Sequence, residues 1–315
     1  MFAGLPRVPV IVTAYRRLRR NARTLNELNK VHIQLENRMT PFERDSIARS
    51  VARFLTLSAG WRLVFRLHEL LGGRPGLSPR LRRKSDRLEA SKVWLTRLRK
   101  NALHFEGGIS ETWFRQVFSP GVFLYVRTDL DADLLVISVT GNRSRMGVAL
   151  PEYLQALRGA KGDVMLVSKR RAQDYGSGIR GLGDTLGESI DQLSELVRTL
   201  NYRRVVVVGS SAGGEPAILA GFRINAQRIL ALGPGQEVAE LYGSLLAGVV
   251  KDWGPNSGPV ARVTVAVGER APERDHHSAR YWEKTVGAEV VQVPQAGHSP
   301  MGELIRTNRL LEFLE

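Results

Sequence analysis

The last two thirds of the chain alternate between short apolar runs and amphipathic segments. Residues 184–200 carry one apolar stripe at helical spacing, with Glu188, Asp191 and Glu195 off the stripe, which predicts a helix. The apolar runs that predict strands are residues 122–127, 134–139, 163–167, 205–208, 228–232, 261–267 and 288–293. Strands that alternate with helices predict an α/β fold with a doubly wound, mostly parallel sheet. The first two runs, joined across residues 129–133, predict a hairpin.

The first third of the chain has a helical pattern instead. Thr40, Pro41 and Glu43 form a capping box with proline at the first helical position, and Ile47 and Val51 follow at helical spacing. Earlier and later helices are predicted from apolar positions that repeat every three to four residues. These positions are Leu25, Leu28, His32, Leu35 and Met39 in one segment, and Leu88, Leu95, Leu98 and Ala102 in a helix beginning near Ser78.

Charge divides the chain at nearly the same place as the hydrophobic pattern. Residues 1–110 contain 23 Lys and Arg against 8 Asp and Glu, which equals the net charge of +15 for the whole chain. Residues 111–315 contain 23 of each sign and are neutral. We therefore expect a basic helical N-terminal region, residues 1–110, followed by an α/β domain, residues 111–315.

The partner of the basic region is left open by its sequence. Arginine-rich helix faces exposed to water would need no partner. An anionic membrane surface is the alternative, because the basic cluster Arg16–Arg20 follows an apolar start. Nucleic acid is not predicted, since the region has no known binding motif and no interleaved aromatic residues that could stack on bases.

Composition narrows the chemistry and the location. The chain has no cysteine, which excludes disulfides, thiolate metal sites and cysteine nucleophiles. No apolar run approaches the roughly 20 residues that span a bilayer. The basic cluster follows the first apolar segment, the reverse of the order in a secretory signal. We expect a cytoplasmic protein, with membrane association as the alternative.

The most informative stretch for chemistry is the run of four valines, residues 205–208, that leads into Gly209-Ser210-Ser211-Ala212-Gly213. A G-x-S-x-G sequence between a buried strand and a helix predicts a sharp turn that exposes the hydroxyl of Ser211. A serine held in this way is a nucleophile if a base lies within reach.

From here the chain resembles the α/β-hydrolase superfamily, over about residues 120–315. The family's catalytic residues follow the order serine, acid, histidine. Ala296-Gly297-His298 follows the last predicted strand, which is where the family usually has its catalytic base. The resemblance therefore implies that Ser211 is the nucleophile and His298 the base.

The acid has three candidates in the loop after residues 261–267. The family places an aspartate about three residues after a glycine, and here that position is Ala271. Asp275 is the predicted acid because a loop carboxylate can turn back toward the imidazole, and Glu269 and Glu273 are the alternatives. The acid would fix the tautomer of His298 and stabilise the imidazolium.

An oxyanion hole would need two backbone N–H donors. The resemblance implies the amide of Ala212 as one donor, since it follows the nucleophile. The second is expected from Gly141 or Asn142, in the Thr-Gly-Asn turn after residues 134–139. The alternative is that Thr-Gly-Asn is only a turn.

No cofactor or metal is predicted. Residues 176–181 match G-x-G-x-x-G, but no valine-rich strand abuts them, so we interpret them as a flexible loop near the rim of the site. Asp275, His276 and His277 lack a convincing third or fourth metal ligand.

The expected function is a serine hydrolase, esterase-like, acting on an ester or related acyl bond of a small molecule or glycan. Arg143, Arg170 and Arg171, with Arg145 and Lys169, lie in loops at the carboxyl ends of strands and favour an anionic acyl substrate. The alternative is a catalytically silent scaffold, or an acyltransferase partner, in surface-polysaccharide assembly.

Overall fold

The computed structural model forms two compact units, Met1–Glu111 and Thr112–Glu315. The boundary predicted from the sequence lies one residue earlier, after residue 110. The residues that the structure describes are 15, 17, 19, 22, 25–36, 40–57, 88–96, 113–169, 175–234 and 261–315.

The second unit is built on one sheet of eight strands. They are β1 Trp113–Ser119, β2 Val122–Arg127, β3 Leu134–Val139, β4 Gly162–Val167, β5 Arg204–Ser210, β6 Arg228–Leu232, β7 Arg262–Gly268 and β8 Glu289–Val293. Their order across the sheet is β1-β2-β4-β3-β5-β6-β7-β8. The pairs from β4 to β8 are all parallel, and β2 is antiparallel to both β1 and β4. The expected doubly wound, mostly parallel fold is confirmed.

Helices cover both faces of this sheet. They are α3 Leu150–Ala156, α4 Leu186–Leu200, α5 Gly214–Ile224, α6 Glu273–Val286 and α7 Met301–Arg306. The labels α1, Leu25–Glu36, and α2, Pro41–Leu57, belong to helices of the first unit. Buried residues of α4, α5 and α6 pack on one face, and those of α3 and α7 pack on the other. This burial on two sides explains the continuous apolar strands. In β5, Val205 and Val207 belong to one packed layer and Val206 and Val208 to the opposite layer.

The predicted hairpin between residues 122–127 and 134–139 is wrong. β3 lies between β4 and β5 and is parallel to both, while β4 separates it from β2. The real hairpin joins β2 to β1, which the hydrophobic pattern did not reveal. β1 is an edge strand with Arg115 half-buried and Gln116 exposed, so it lacks the apolar run of a buried strand.

The first unit contains the predicted capping box. Thr40 N donates to Glu43 Oε2 at 2.8 Å, and Glu43 N donates to Thr40 Oγ1 at 3.2 Å, at the start of α2. Ile47 and Val51 of this helix are fully buried. They share a core with residues of α1 and of helical residues 88–96, where the His32 ring stacks on Trp94 at a centroid distance of 4.0 Å. Among the described residues, no helix is both long and apolar enough to cross a membrane.

Candidate functional site

Ser211 lies at the carboxyl end of β5, where the chain turns sharply into α5. A 3₁₀ turn, Ser211–Gly213, joins strand to helix, and Ser211 has a φ of +52°, in the left-handed region. This conformation is uncommon for a residue with a side chain. The turn is possible because Gly209 and Gly213 have no Cβ. A Cβ at Gly209 would meet the Gly213 carbonyl and the Ala217 side chain, and one at Gly213 would meet backbone oxygens at the end of β3.

His298 reaches this serine from the loop that follows β8. The distance between Ser211 Oγ and His298 Nε2 is 2.8 Å, a normal hydrogen bond. The loop is tied to the neighbouring connection after β7, because Arg270 N donates to the Ala296 carbonyl at 2.8 Å. The His298 side chain is 37 % exposed, so one edge of the imidazole faces solvent while its two nitrogens are engaged.

Asp275 completes the chain of hydrogen bonds. His298 Nδ1 lies 2.7 Å from Asp275 Oδ2, and the carboxylate is fully buried. Asp275 was predicted to lie in a loop, but it occupies the first turn of α6. There the partial positive charge of a helix N-terminus favours an anion. The exposed Arg274 has its Nε 3.7 Å from Asp275 Oδ1 and adds a second, weaker electrostatic contact.

Three features found here are typical of a single fold. They are the strand order, the left-handed serine between strand and helix, and the order of serine, acid and histidine along the chain. The chain has the α/β-hydrolase fold.

The other two candidate acids in this α/β-hydrolase fold contact other groups. Glu269 Oε2 accepts a hydrogen bond from Gln295 N at 2.9 Å, so it braces the loop that carries His298. Glu273 Oε1 accepts from Arg280 at 2.7 Å, and this guanidinium lowers the pKa of the exposed carboxyl. Of the three carboxylates, only Asp275 hydrogen-bonds to the imidazole.

The predicted oxyanion donors come from two turns that meet at the end of β3 and β5. Ala212 is the second residue of its 3₁₀ turn, where a backbone N–H has no acceptor within the turn. Asn142 is the first residue of another 3₁₀ turn, Asn142–Ser144, and its amide is in the same situation.

Gly141 differs from the prediction. Its N–H donates to the Arg145 carbonyl at 2.8 Å, so the loop itself uses this donor. Its contribution is close approach, since a Cβ at Gly141 would lie 2.5 Å from the Ser210 carbonyl oxygen and 3.2 Å from Ser211 Cβ. Asn142 is therefore the donor that this turn can offer.

The three arginines predicted to bind substrate fall outside what the structure describes. Arg170 and Arg171 lie in the undescribed segment 170–174, and the side chain of Arg143 is likewise outside the described residues. Lys169, named with them as a cation at the mouth, is only 7 % exposed and donates from Nζ to Asn142 Oδ1 at 2.7 Å.

The G-x-G-x-x-G segment also differs from its interpretation as a flexible rim loop. Ile179 within it and Tyr175 just before it are each 2 % exposed, and Gly178 has a φ of +80° within a hydrogen-bonded turn. Tyr175 was not predicted to lie near the site. A lone tyrosine beside a glycine-rich stretch carries no pattern that would have indicated it.

The sequence matches no protein-family model and no curated protein sequence. Solved structures that resemble the chain include Est1E from Butyrivibrio proteoclasticus, described with ferulic acid bound, at 15 % identity over 61 % of this chain and 94 % of that one, TM-score 0.44. Another is a serine hydrolase without a lid from Xanthomonas campestris, at 15 % identity over 66 % and 96 %, TM-score 0.43. A third is an α/β serine hydrolase homologue from Coxiella burnetii, at 14 % identity over 65 % and 98 %, TM-score 0.44. Likenesses at this level do not identify a reaction or a substrate.

Proposed function

We propose that the protein is a serine hydrolase, esterase-like, that cleaves an ester or related acyl bond. The observation that carries the proposal is the continuous chain of hydrogen bonds from Ser211 Oγ through both nitrogens of His298 to Asp275, at 2.8 and 2.7 Å. A nucleophile, a base and a group that orients the base, all within hydrogen-bond reach, are the general requirement for covalent acyl transfer.

The first half of the reaction uses each of these groups once. Ser211 Oγ attacks the acyl carbon, and its proton moves to His298 Nε2. The carbonyl oxygen becomes an oxyanion in the tetrahedral intermediate. Collapse of the intermediate breaks the bond to the leaving group, which takes the proton from Nε2 and departs. Asp275 holds the Nδ1–H tautomer and stabilises the imidazolium that exists between these steps.

Deacylation repeats the sequence with water in place of the serine. Water gives a proton to His298 Nε2 and attacks the acyl-enzyme, and Ser211 recovers its proton when the acid product leaves. In both halves the oxyanion would accept hydrogen bonds from the amides of Ala212 and Asn142. Preorganised donors of this kind commonly supply about 10²–10³-fold of the rate each.

The test is labelling of the purified protein with a fluorophosphonate probe, which reacts with an activated serine. We expect the wild type to be labelled and Ser211→Ala and His298→Ala to lose labelling. Ser210→Ala is a matched control, since it removes a neighbouring hydroxyl that takes no part in the hydrogen-bond chain, and it should be labelled like the wild type. Peptide mapping of the adduct should place it on Ser211.

A folded wild type that fails to react would refute the proposal. That result would favour the silent-scaffold alternative. Labelling without hydrolysis of any simple ester, together with transfer of the acyl group to an added alcohol or sugar, would instead identify an acyltransferase.

We further propose that the acyl substrate is anionic, on the sequence positions of Arg143, Arg170 and Arg171 alone. The measurement is kcat/KM for a neutral and an anionic ester that share the same leaving group. A triple substitution of these arginines by glutamine should lower the ratio of anionic to neutral kcat/KM. Equal turnover of the two esters by the wild type would end this part of the proposal.

A further inference from the structure

Two buried side chains outside the Ser211–His298–Asp275 chain bind the loop that carries Asn142. This loop, residues 140–145, is called the oxyanion loop below. Lys169, just after β4, donates from Nζ to Asn142 Oδ1 at 2.7 Å. Tyr175 donates from its hydroxyl to the Thr140 carbonyl at 2.7 Å. One bond is to a side chain and the other to the backbone, so they fix the loop at two separate residues.

We propose that Lys169 and Tyr175 are positioning residues that hold the oxyanion loop in its catalytic conformation. The inference rests on the proposed serine hydrolase function, because only then does the Asn142 amide have an oxyanion to bind.

Such support matters to the oxyanion loop because its turn is closed by a local hydrogen bond and holds a strained residue. The Gly141 amide donates back to Arg145, and Ser144 adopts a φ of +54°, so the turn holds a strained residue. One link between the loop and the sheet is the bond from Thr140 N to the Val167 carbonyl at 2.9 Å. Tyr175 adds to this link, since its hydroxyl also lies 3.4 Å from the Val167 carbonyl.

Both side chains project from backbone that is itself anchored. Lys169 pairs with Ile179 in an isolated antiparallel bridge, and Ile179 N donates to the buried hydroxyl of Ser189 in α4 at 2.8 Å. Burial raises the pKa of Tyr175, so its hydroxyl keeps its proton and remains a donor. The two side-chain donors therefore project from fixed backbone positions and are themselves buried.

The choice of lysine has an electrostatic consequence. An ammonium group that is taken out of water is costly unless polar groups surround it, so Lys169 would not be buried here for packing alone. Its charge lies one hydrogen bond from the residue whose amide is proposed to bind the oxyanion. A positive charge in such a place stabilises negative charge that develops in the transition state.

The experiment compares Lys169→Met, Tyr175→Phe and Asn142→Ala with the wild type, using p-nitrophenyl acetate and the fluorophosphonate probe. For Lys169→Met we expect kcat to fall about 10-fold, less than for the loss of a direct oxyanion donor, with KM changed by no more than about twofold. For Tyr175→Phe we expect a fall of about threefold, because the hydroxyl supports the backbone and carries no charge. Lys169→Arg keeps a charged donor and should recover part of the lost kcat.

Two controls separate positioning from a general loss of structure. Lys161→Met removes an exposed cation at the opposite edge of the sheet, just before β4, and should leave kcat unchanged. The kcat of the double variant Lys169→Met/Asn142→Ala should be about that of the slower single variant, because both changes act through the same loop.

The outcomes distinguish the inference from the proposed function beneath it. A wild type that neither hydrolyses the ester nor reacts with the probe overturns both. An active wild type with Lys169→Met and Tyr175→Phe at unchanged kcat overturns the inference alone. So does a fall in kcat that is fully explained by a smaller folded fraction in thermal unfolding, or that Lys169→Arg does not relieve.

Discussion

Two buried aspartates have different roles, one beside the amino ends of the parallel strands and the other beside their carboxyl ends. Asp163, near the amino end of β4, is 4 % exposed, and Asp275, in the first turn of α6, is fully buried. Asp163 accepts from the Arg127 backbone N–H at 2.7 Å and from the Tyr202 hydroxyl at 2.5 Å, so both its oxygens are engaged by fixed donors. Asp275 instead shares one oxygen with His298 Nδ1.

The difference lies in what the partners can do. A backbone amide and a phenol donate a hydrogen bond without changing their protonation state. Burial raises the pKa of Tyr202 further above any physiological pH. An imidazole can gain and lose a proton, and its second nitrogen contacts a serine. Asp163 therefore braces β2, β4 and the turn before β5, while Asp275 supports a group that changes its charge during the proposed reaction.

The same substitution at the two positions is the strongest way to break this comparison. Asp275→Asn should lower kcat by about 10⁴-fold, because an amide at this position favours the wrong tautomer of His298. The measurement is kcat on p-nitrophenyl acetate, with circular dichroism to show that the fold is kept. An active Asp275→Asn protein would contradict the role given to Asp275.

Asp163→Asn should have the opposite profile. The asparagine can accept one of the two hydrogen bonds but must turn an NH₂ group toward the other donor, so we expect a loss of about 1–3 kcal/mol in the free energy of unfolding. The kcat of the folded protein should stay within about twofold of the wild type, since the site lies at the other edge of the sheet. Chemical denaturation and active-site titration measure the two quantities. A kcat loss beyond the folded fraction would show that the edges are coupled.

The pH dependence of stability sharpens the contrast. Burial raises the pKa of Asp163 above its ordinary value of 3.8, although hydrogen bonds from Tyr202 and Arg127 oppose the shift. Between 3.8 and the raised pKa the folded state binds this proton and the unfolded state does not, so the contribution of Asp163 to stability falls as pH rises through that window. Asp163→Asn has no such proton. The difference in unfolding free energy, wild type minus variant, should therefore decrease from pH 3.8 upward, and a rising difference would contradict the assignment.

Arg274→Gln should have the smallest energetic effect of the three substitutions. The guanidinium is 67 % exposed and lies 3.7 Å from Asp275 Oδ1, too far for a hydrogen bond. Exposed ion pairs contribute about 0–1 kcal/mol, so kcat should fall by no more than about fivefold. A loss as large as that of Asp275→Asn would mean that Arg274, and not the histidine alone, fixes the carboxylate.

The sequence predicted the parts of the site that local patterns encode. Ser211 was found because strand, glycines and helix follow one another along the chain, and His298 because its motif follows the last strand. Asp275 was one of three carboxylates within seven residues, and only the folding of Pro272 and Glu273 into a helix start decides which one faces the imidazole. That choice depends on three-dimensional packing, which periodicity does not report.

Strand order and loop chemistry were beyond the sequence for a related reason. Apolar runs identified seven strands but not their neighbours, so β3 was paired with β2 when β4 lies between them. Gly141 was predicted as an oxyanion donor, but its amide donates to the Arg145 carbonyl within the turn. Lys169 was grouped with the cations at the mouth because its loop lies at the carboxyl end of a strand, and its burial against Asn142 is a tertiary effect.

The left-handed backbone of Ser211 has a consequence for how this protein could change under selection for stability alone. An L-residue in that region destabilises the folded state by about 1–2 kcal/mol. Glycine there avoids this cost but lowers stability by about 0.4–1 kcal/mol, because the unfolded chain gains conformational freedom. Ser211→Gly should thus be as stable as the wild type or slightly more so, and Ser211→Ala should keep the strain. The difference in thermal stability between the two variants would measure the backbone strain that accompanies the placement of the Ser211 hydroxyl.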